Sequence, residues 1–104
     1  MQLIVNKINS TYKSYGWSAN KQLDRFDEDE THLIEDLAQF YKSNITIDFG
    51  FYGDGTEPED GNLVIYVVQD YDWVKPLARF EFLYSCSDFA LETLEKIPST
   101  ELFP

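Results

Sequence analysis

The chain holds one thiol and one imidazole, Cys86 and His32, the two side chains that would supply a nucleophile and its general base. Cys86 precedes an apolar-periodic segment, where a small buried residue is expected. His32 stands four residues from both Glu28 and Asp36, the placing of a charge partner on a helix. A transition-metal centre needs several His or Cys ligands, and one of each is too few. Asp54, Glu57, Glu59 and Asp60 would offer oxygen to calcium, but they lack the Asp-x-Asp-x-Asp-Gly order and the closing Glu of a calcium loop. Gly50, Gly53 and Gly55 are followed by no Lys-Ser or Lys-Thr, so no phosphate loop is formed. The 19 carboxylates supply pairs for glycoside hydrolysis, yet a chain of 104 residues leaves little room for a deep cleft. The expectation is a protein that is not an enzyme and uses no cofactor and no metal.

Charge sets the class of partner. The 19 acids against 8 Lys and Arg give a net charge of −11, whose field repels DNA, RNA and anionic membranes. Through Arg25 the chain carries four bases against Asp24, a balance of +3, and the remainder holds 18 acids against four bases, a balance of −14. A hydrophobic content of 43% suffices for one packed domain over residues 1–104. The longest apolar run, residues 63–68, is far short of the roughly 20 residues that span a bilayer. The N-terminal residues lack the basic start and long apolar run of a signal peptide, and a single cysteine fits a reducing interior, so the expected location is the cytoplasm.

The elements follow from periodicity. Residues 3–8 alternate loosely as a strand near a sheet edge, and residues 9–24, with Tyr12, Tyr15 and Trp17 around Gly16, read as an aromatic turn region with room for a second short strand. Leu33, Ile34, Leu37, Ala38 and Tyr41 make a helical stripe, which predicts a helix over residues 28–42. Asp27 and Glu30 form its capping box, and Asn44 is its stop signal. Ile45, Ile47, Phe49 and Phe51 alternate as a strand whose other face is wetter. Residues 53–61 form a hairpin loop. Residues 63–69 are apolar on both faces, as befits a covered central strand, and residues 70–76 make the next turn. Ala78, Phe80, Phe82 and Tyr84 mark a third meander strand. Ser85 or Ser87 caps a last helix with Ala90, Leu94 and Ile97 inward, and Pro98 ends it. The predicted fold class is α+β: an antiparallel sheet of about four strands with two helices packed on one face.

Alternating strand directions gather the acids. Asp27, Glu28, Asp29 and Glu30, with Asp54, Glu57, Glu59, Asp60 and Asp88, fall at one end of the sheet, nine of the 19 carboxylates. Such a rim either keeps the protein soluble or presents a face to a cationic protein. Asp70, Tyr71, Asp72 and Trp73 lie at the other end, where two aromatic anchors flanked by carboxylates suit an interface. The wetter sheet face, with Asp48, Tyr52 and Tyr66, would join the two.

In size, charge and α+β build the chain resembles the small, acidic, single-domain immunity proteins that bacteria pair with secreted or contact-delivered toxins, and more loosely the barstar-like inhibitors. The resemblance carries over no individual residue. It implies a cytoplasmic protein that binds a cognate toxin, often a basic nuclease, with carboxylates standing in for substrate phosphates. No direct contact with nucleic acid or membrane is expected. Two other readings stand beside it: a phage-type inhibitor or nucleic-acid mimic aimed at a host nuclease or DNA-binding enzyme, and an adaptor domain whose charge serves solubility.

Overall fold

A computed structural model of the chain describes residues 2–24, 37–52 and 61–100. The order within them is helix α1 (Gln2–Ser14), strands β1 (Ser18–Lys21), β2 (Ala38–Lys42), β3 (Ile45–Tyr52), β4 (Asn62–Gln69) and β5 (Ala78–Leu83), and helix α2 (Ser87–Lys96). The strands form one antiparallel sheet in chain order, β1-β2-β3-β4-β5. The fold is α+β, with five strands where about four were expected.

The first element is a helix, not the strand expected over residues 3–8. Val5, Ile8 and Tyr12 are buried and Ile4 is half-buried, a spacing of three and four that only a helix puts on one side. A six-residue window ending at Ile8 shows β-branched residues and too little of this stripe. Packing of the extended stripe overrides the local β propensity. The helix ends where Gly16 takes φ 86°. Trp17 N–H donates to the Tyr12 carbonyl at 2.9 Å and Gly16 N–H to that of Lys13 at 3.0 Å, the paired bonds of a Schellman cap. The Trp17 ring meets the Tyr12 ring edge-on at 5.7 Å and seals the cap. The turn region expected over residues 9–24 is narrower than that: residues 9–14 are the second half of α1, the turn is confined to the residues around Gly16, and β1 is the short strand that follows it.

Residues 38–42 form β2 instead of the end of the expected helix; residues 28–36, with the Asp27 and Glu30 capping box, lie outside the described residues. Ala38 and Phe40 are buried, Gln39 is half-buried and Tyr41 is exposed, so the burial pattern has the period of a strand. Lys42 faces Ile45 across a two-residue connection in which Ser43 has φ 56°, so Asn44 belongs to a hairpin and is not a helix stop. Phe40 stacks on Tyr12, ring centroids 4.0 Å apart and planes 10° from parallel.

Strands β3 and β5 lie where the alternation puts them, and β4 lies at the expected apolar run. The loop between β3 and β4 lies outside the described residues except for Gly61, where a Cβ would run into the Phe51 ring. The helix α2 begins without the expected serine cap: Cys86 is the N-cap residue, no side chain caps it, and a 3₁₀ turn over Tyr84–Cys86 leads in. Ala90, Leu94 and Ile97 are buried as expected, and Leu91 joins them. The expected extended tail is described only as far as Thr100.

Both helices cover the sheet face that carries Phe40, Phe49 and Ile65, and all of them belong to one core cluster. Thr11 Oγ1 donates to Glu95 at 3.1 Å and Lys7 pairs with Glu95 at 3.9 Å across the α1 and α2 contact. Pro98 has no N–H to offer the Leu94 carbonyl four residues before it. The Tyr12 hydroxyl donates to that carbonyl at 2.8 Å. Burial pushes the Tyr12 phenol far above its ordinary value, with the charge of Glu95 adding to the shift.

Tyr12→Phe is expected to lower stability by about 1–3 kcal/mol at neutral pH, since the Leu94 carbonyl is left buried without a donor. Above about pH 10 the unfolded chain ionises this phenol and the folded chain does not, which removes about 1.4 kcal/mol per pH unit from the wild type alone. Urea unfolding of both proteins across that range should show the gap between them closing as pH rises; a constant gap would contradict the role given to the phenol. Gly16→Ala should cost about 1–2 kcal/mol in the same measurement, because a Cβ disfavours the left-handed backbone there.

Candidate functional site

Alternation along the sheet puts Gln39, Asp48, Tyr66 and Arg79 in register on the face away from the helices. A polar row therefore crosses four strands. Asn20 Nδ2 donates to Gln39 Oε1 at 2.7 Å, and Gln39 Nε2 donates to Asp48 Oδ1 at 3.2 Å. On β5, Arg79 Nε donates to the Tyr66 hydroxyl at 3.2 Å and its guanidinium pairs with Glu81 at 3.4 Å. The guanidinium carbon lies 5.4 Å from the Tyr66 ring centre. The Tyr66 hydroxyl first, and Glu81 after it, hold Arg79 above its ordinary value.

This face is less wet than the strand pattern suggests. Asp48 and Thr46 are buried on it, as are Val64 and Val68 of β4, which meets the expectation that β4 is covered on both sides. Tyr52 and Tyr66 are half-buried and meet edge-on at 6.3 Å.

The turn between β4 and β5 extends the aromatic row. Trp73 folds back so that its ring meets Tyr66 edge-on at 6.0 Å, while 43% of the residue stays exposed. Asp70 and Tyr71 have φ of 55° and 59°, and Asp72 N–H donates to the Gln69 carbonyl at 3.0 Å, a tight turn with two successive left-handed residues. Glycine or asparagine is the usual occupant of such positions, and a tyrosine there is strained by about 1–2 kcal/mol. Asn44 holds the turn in place: its carbonyl accepts from Asp70 N–H at 2.9 Å and its Nδ2 donates to Asp70 Oδ1 at 3.1 Å. Asp72 Oδ1 accepts from Lys75 N–H at 3.1 Å. The strained turn presents Tyr71 at 70% exposure between two carboxylates.

The predicted site residues divide in two. Asp70, Tyr71, Asp72 and Trp73 are together, beside the sheet face that carries Tyr52 and Tyr66. Asp27, Glu28, Asp29, Glu30, Asp54, Glu57, Glu59 and Asp60 lie outside the described residues. The strand ends flanking them, Lys21 with Ala38 and Tyr52 with Asn62, are at one end of the sheet, and the turn after Gln69 is at the other. Asp88, exposed in the first turn of α2, follows β5 at the former end. Arg79 and Glu81 were not singled out by sequence, and Asn44 was read there as a helix stop and not as a support of this turn. Their signal is cross-strand register, which pairs Arg79 with Tyr66 and which a single strand pattern does not contain.

Among the described residues no group of three or more His, Cys, Asp or Glu is placed to hold a metal, and no helix is long and apolar enough to cross a membrane. Two hollows, of about 220 Å³ beside Trp17 and Lys13 and about 180 Å³ beside Ile4 and Asp88, are smaller than the roughly 300 Å³ at which small-molecule sites begin. Cys86 is a half-buried free thiol. Comparison with protein-family models, curated proteins and solved structures finds no match to this chain.

Tyr71→Gly should raise stability by about 0.5–1 kcal/mol, the relieved backbone strain less the larger entropy that glycine loses on folding. Thermal denaturation checks this; a loss of stability would mean that the Tyr71 side chain contributes more to the fold than to the surface.

Proposed function

We propose that this protein is an immunity protein, which binds a cognate toxin domain of basic, nuclease type and neutralises it. The observation that carries the reading is the Gln69–Asp72 turn, where strained backbone displays Tyr71 between Asp70 and Asp72 with Trp73 beside it. Backbone strain persists where it serves a contact. Tyr and Trp give large contact area at small entropic cost, and flanking carboxylates complement Arg and Lys. The net charge of −11 supplies the long-range attraction to a cationic surface and raises the rate of encounter. Asp27 to Glu30 and Asp54, Glu57, Glu59 and Asp60 contribute to that field, and the turn supplies the anchors. Neutralisation then amounts to occupying the toxin surface that otherwise meets nucleic-acid phosphates.

Affinity capture with the tagged full chain from its native cells at low salt, with captured proteins identified by mass spectrometry, tests the reading. A basic toxin-domain protein is expected, and producing that domain in a test cell should arrest growth unless this chain is produced with it. Binding should weaken at least tenfold as ionic strength rises through the physiological range. Tyr71→Ala and Trp73→Ala should each weaken it by about tenfold or more. Capture of no specific partner, or of one whose affinity ignores both salt and Tyr71, would overturn the proposal.

A further inference from the structure

The two edges of the sheet are built differently. Strand β1 is four residues long, exposed throughout, and its pairing with β2 is irregular between Ala19 and Lys21, the features that discourage further pairing. Strand β5 has six residues, Ala78–Leu83, in unbroken register with β4 over its whole length, and no proline lies within it. Among the described residues β4 is its one strand neighbour.

The side chains of β5 are self-complementary. On the helix-covered face are Ala78, Phe80 and Phe82, and on the other are Arg79, Glu81 and Leu83, by their register with β4. Two identical strands paired antiparallel about a two-fold axis bring residues i and j together where i and j share a face and have a fixed sum. An axis through Phe80 sets Arg79 against Glu81 of the second copy, and Glu81 against Arg79. The same register sets Phe80 on Phe80, Ala78 on Phe82, and Leu77 on Leu83. Leu77 and Leu83 are 55% and 62% exposed in the single chain, a large area for leucine to leave in water. An axis through Arg79 or Glu81 would instead oppose like charges. One register alone satisfies charge and apolar pairing together.

We propose that the open edge of β5 is a self-association site, at which a second copy of this chain pairs antiparallel about Phe80 to give a continuous ten-stranded sheet. The Arg79 and Glu81 ion pair within each strand is exchanged for one between strands, two in the dimer for the two given up. Edge pairing of six residues covers less area than a standard interface, so the dimer is weak and concentration-dependent. Each copy carries −11, so salt strengthens the dimer, opposite in sign to the salt effect on a basic partner. The inference is therefore separable from the proposed function.

Sedimentation equilibrium of the full chain at about 0.05 and about 0.5 M salt tests it, since screening differs severalfold between them. The expected result is a monomer and dimer equilibrium that shifts to dimer with concentration and with salt. Arg79→Glu and Glu81→Arg should each weaken association by about tenfold, because each opposes like charges at both cross-strand positions. An equimolar mixture of the two variants should restore it as a heterodimer, since every charge then faces its opposite. A monomer at all concentrations, variants that associate as the wild type does, or a mixture that stays monomeric would overturn the proposal. Amide exchange of the wild type needs no variant: residues 78–83 should exchange more slowly as concentration rises, and exchange independent of concentration there would also overturn it.

Discussion

A carbonyl that its own helix cannot satisfy organises the packed half of this molecule. Pro98 leaves the Leu94 oxygen without an amide donor, and the hydroxyl of Tyr12 supplies one from a helix 82 residues away in sequence. The same side chain stacks on Phe40 of β2 and receives the edge of Trp17, so one buried tyrosine joins both helices, the second strand and the cap of α1. Hydroxyl geometry fixes the ring, and the ring fixes what stacks on it.

That arrangement separates two tasks between the faces of the sheet. The helix side carries the core, in which burial holds the Tyr12 phenol in its neutral form. The other side carries a row of hydrogen-bonded polar groups and rings, from Gln39 through Asp48 and Tyr66 to Arg79, and ends in a turn whose backbone is strained. Strain of this kind survives only where neighbours over-determine it, and the two hydrogen bonds between Asn44 and Asp70 do so. In the proposed complex this rigid, strained aromatic turn keeps binding cheap, because the entropy of ordering it is lost on folding and not on binding.

The meander was legible because β3 and β5 alternate over eight and six residues, and β4 is an apolar run bounded by turn residues. The last helix was legible because Ala90, Leu94 and Ile97 keep their spacing up to a proline. The first helix was not, because residues 3–8 hold too little of a stripe that needs Tyr12 to complete it. Residues 38–42 misled for the opposite reason: Ala38 and Tyr41 fit a helical stripe, whereas Ala38 and Phe40 fit a strand, and only the stack on Tyr12 and the hairpin at Ser43 decide between them. The turn at Asp70 was placed from its residues, but its left-handed tyrosine and the contact from Trp73 to Tyr66 depend on register and were not readable. The acidic segments were read from sequence as one rim, and the described strand ends that flank them do share one end of the sheet.

In the proposed complex the turn after β4, and not the acidic end alone, is the part that touches the partner. Hydrogen exchange of the chain, free and bound to the basic protein it captures, tests this most directly. Amides of residues 70–77 are expected to become protected on binding, together with those flanking Tyr66. Protection confined to residues 25–36 and 53–60, with residues 70–77 exchanging as in the free chain, would contradict it and leave electrostatics as the whole of recognition.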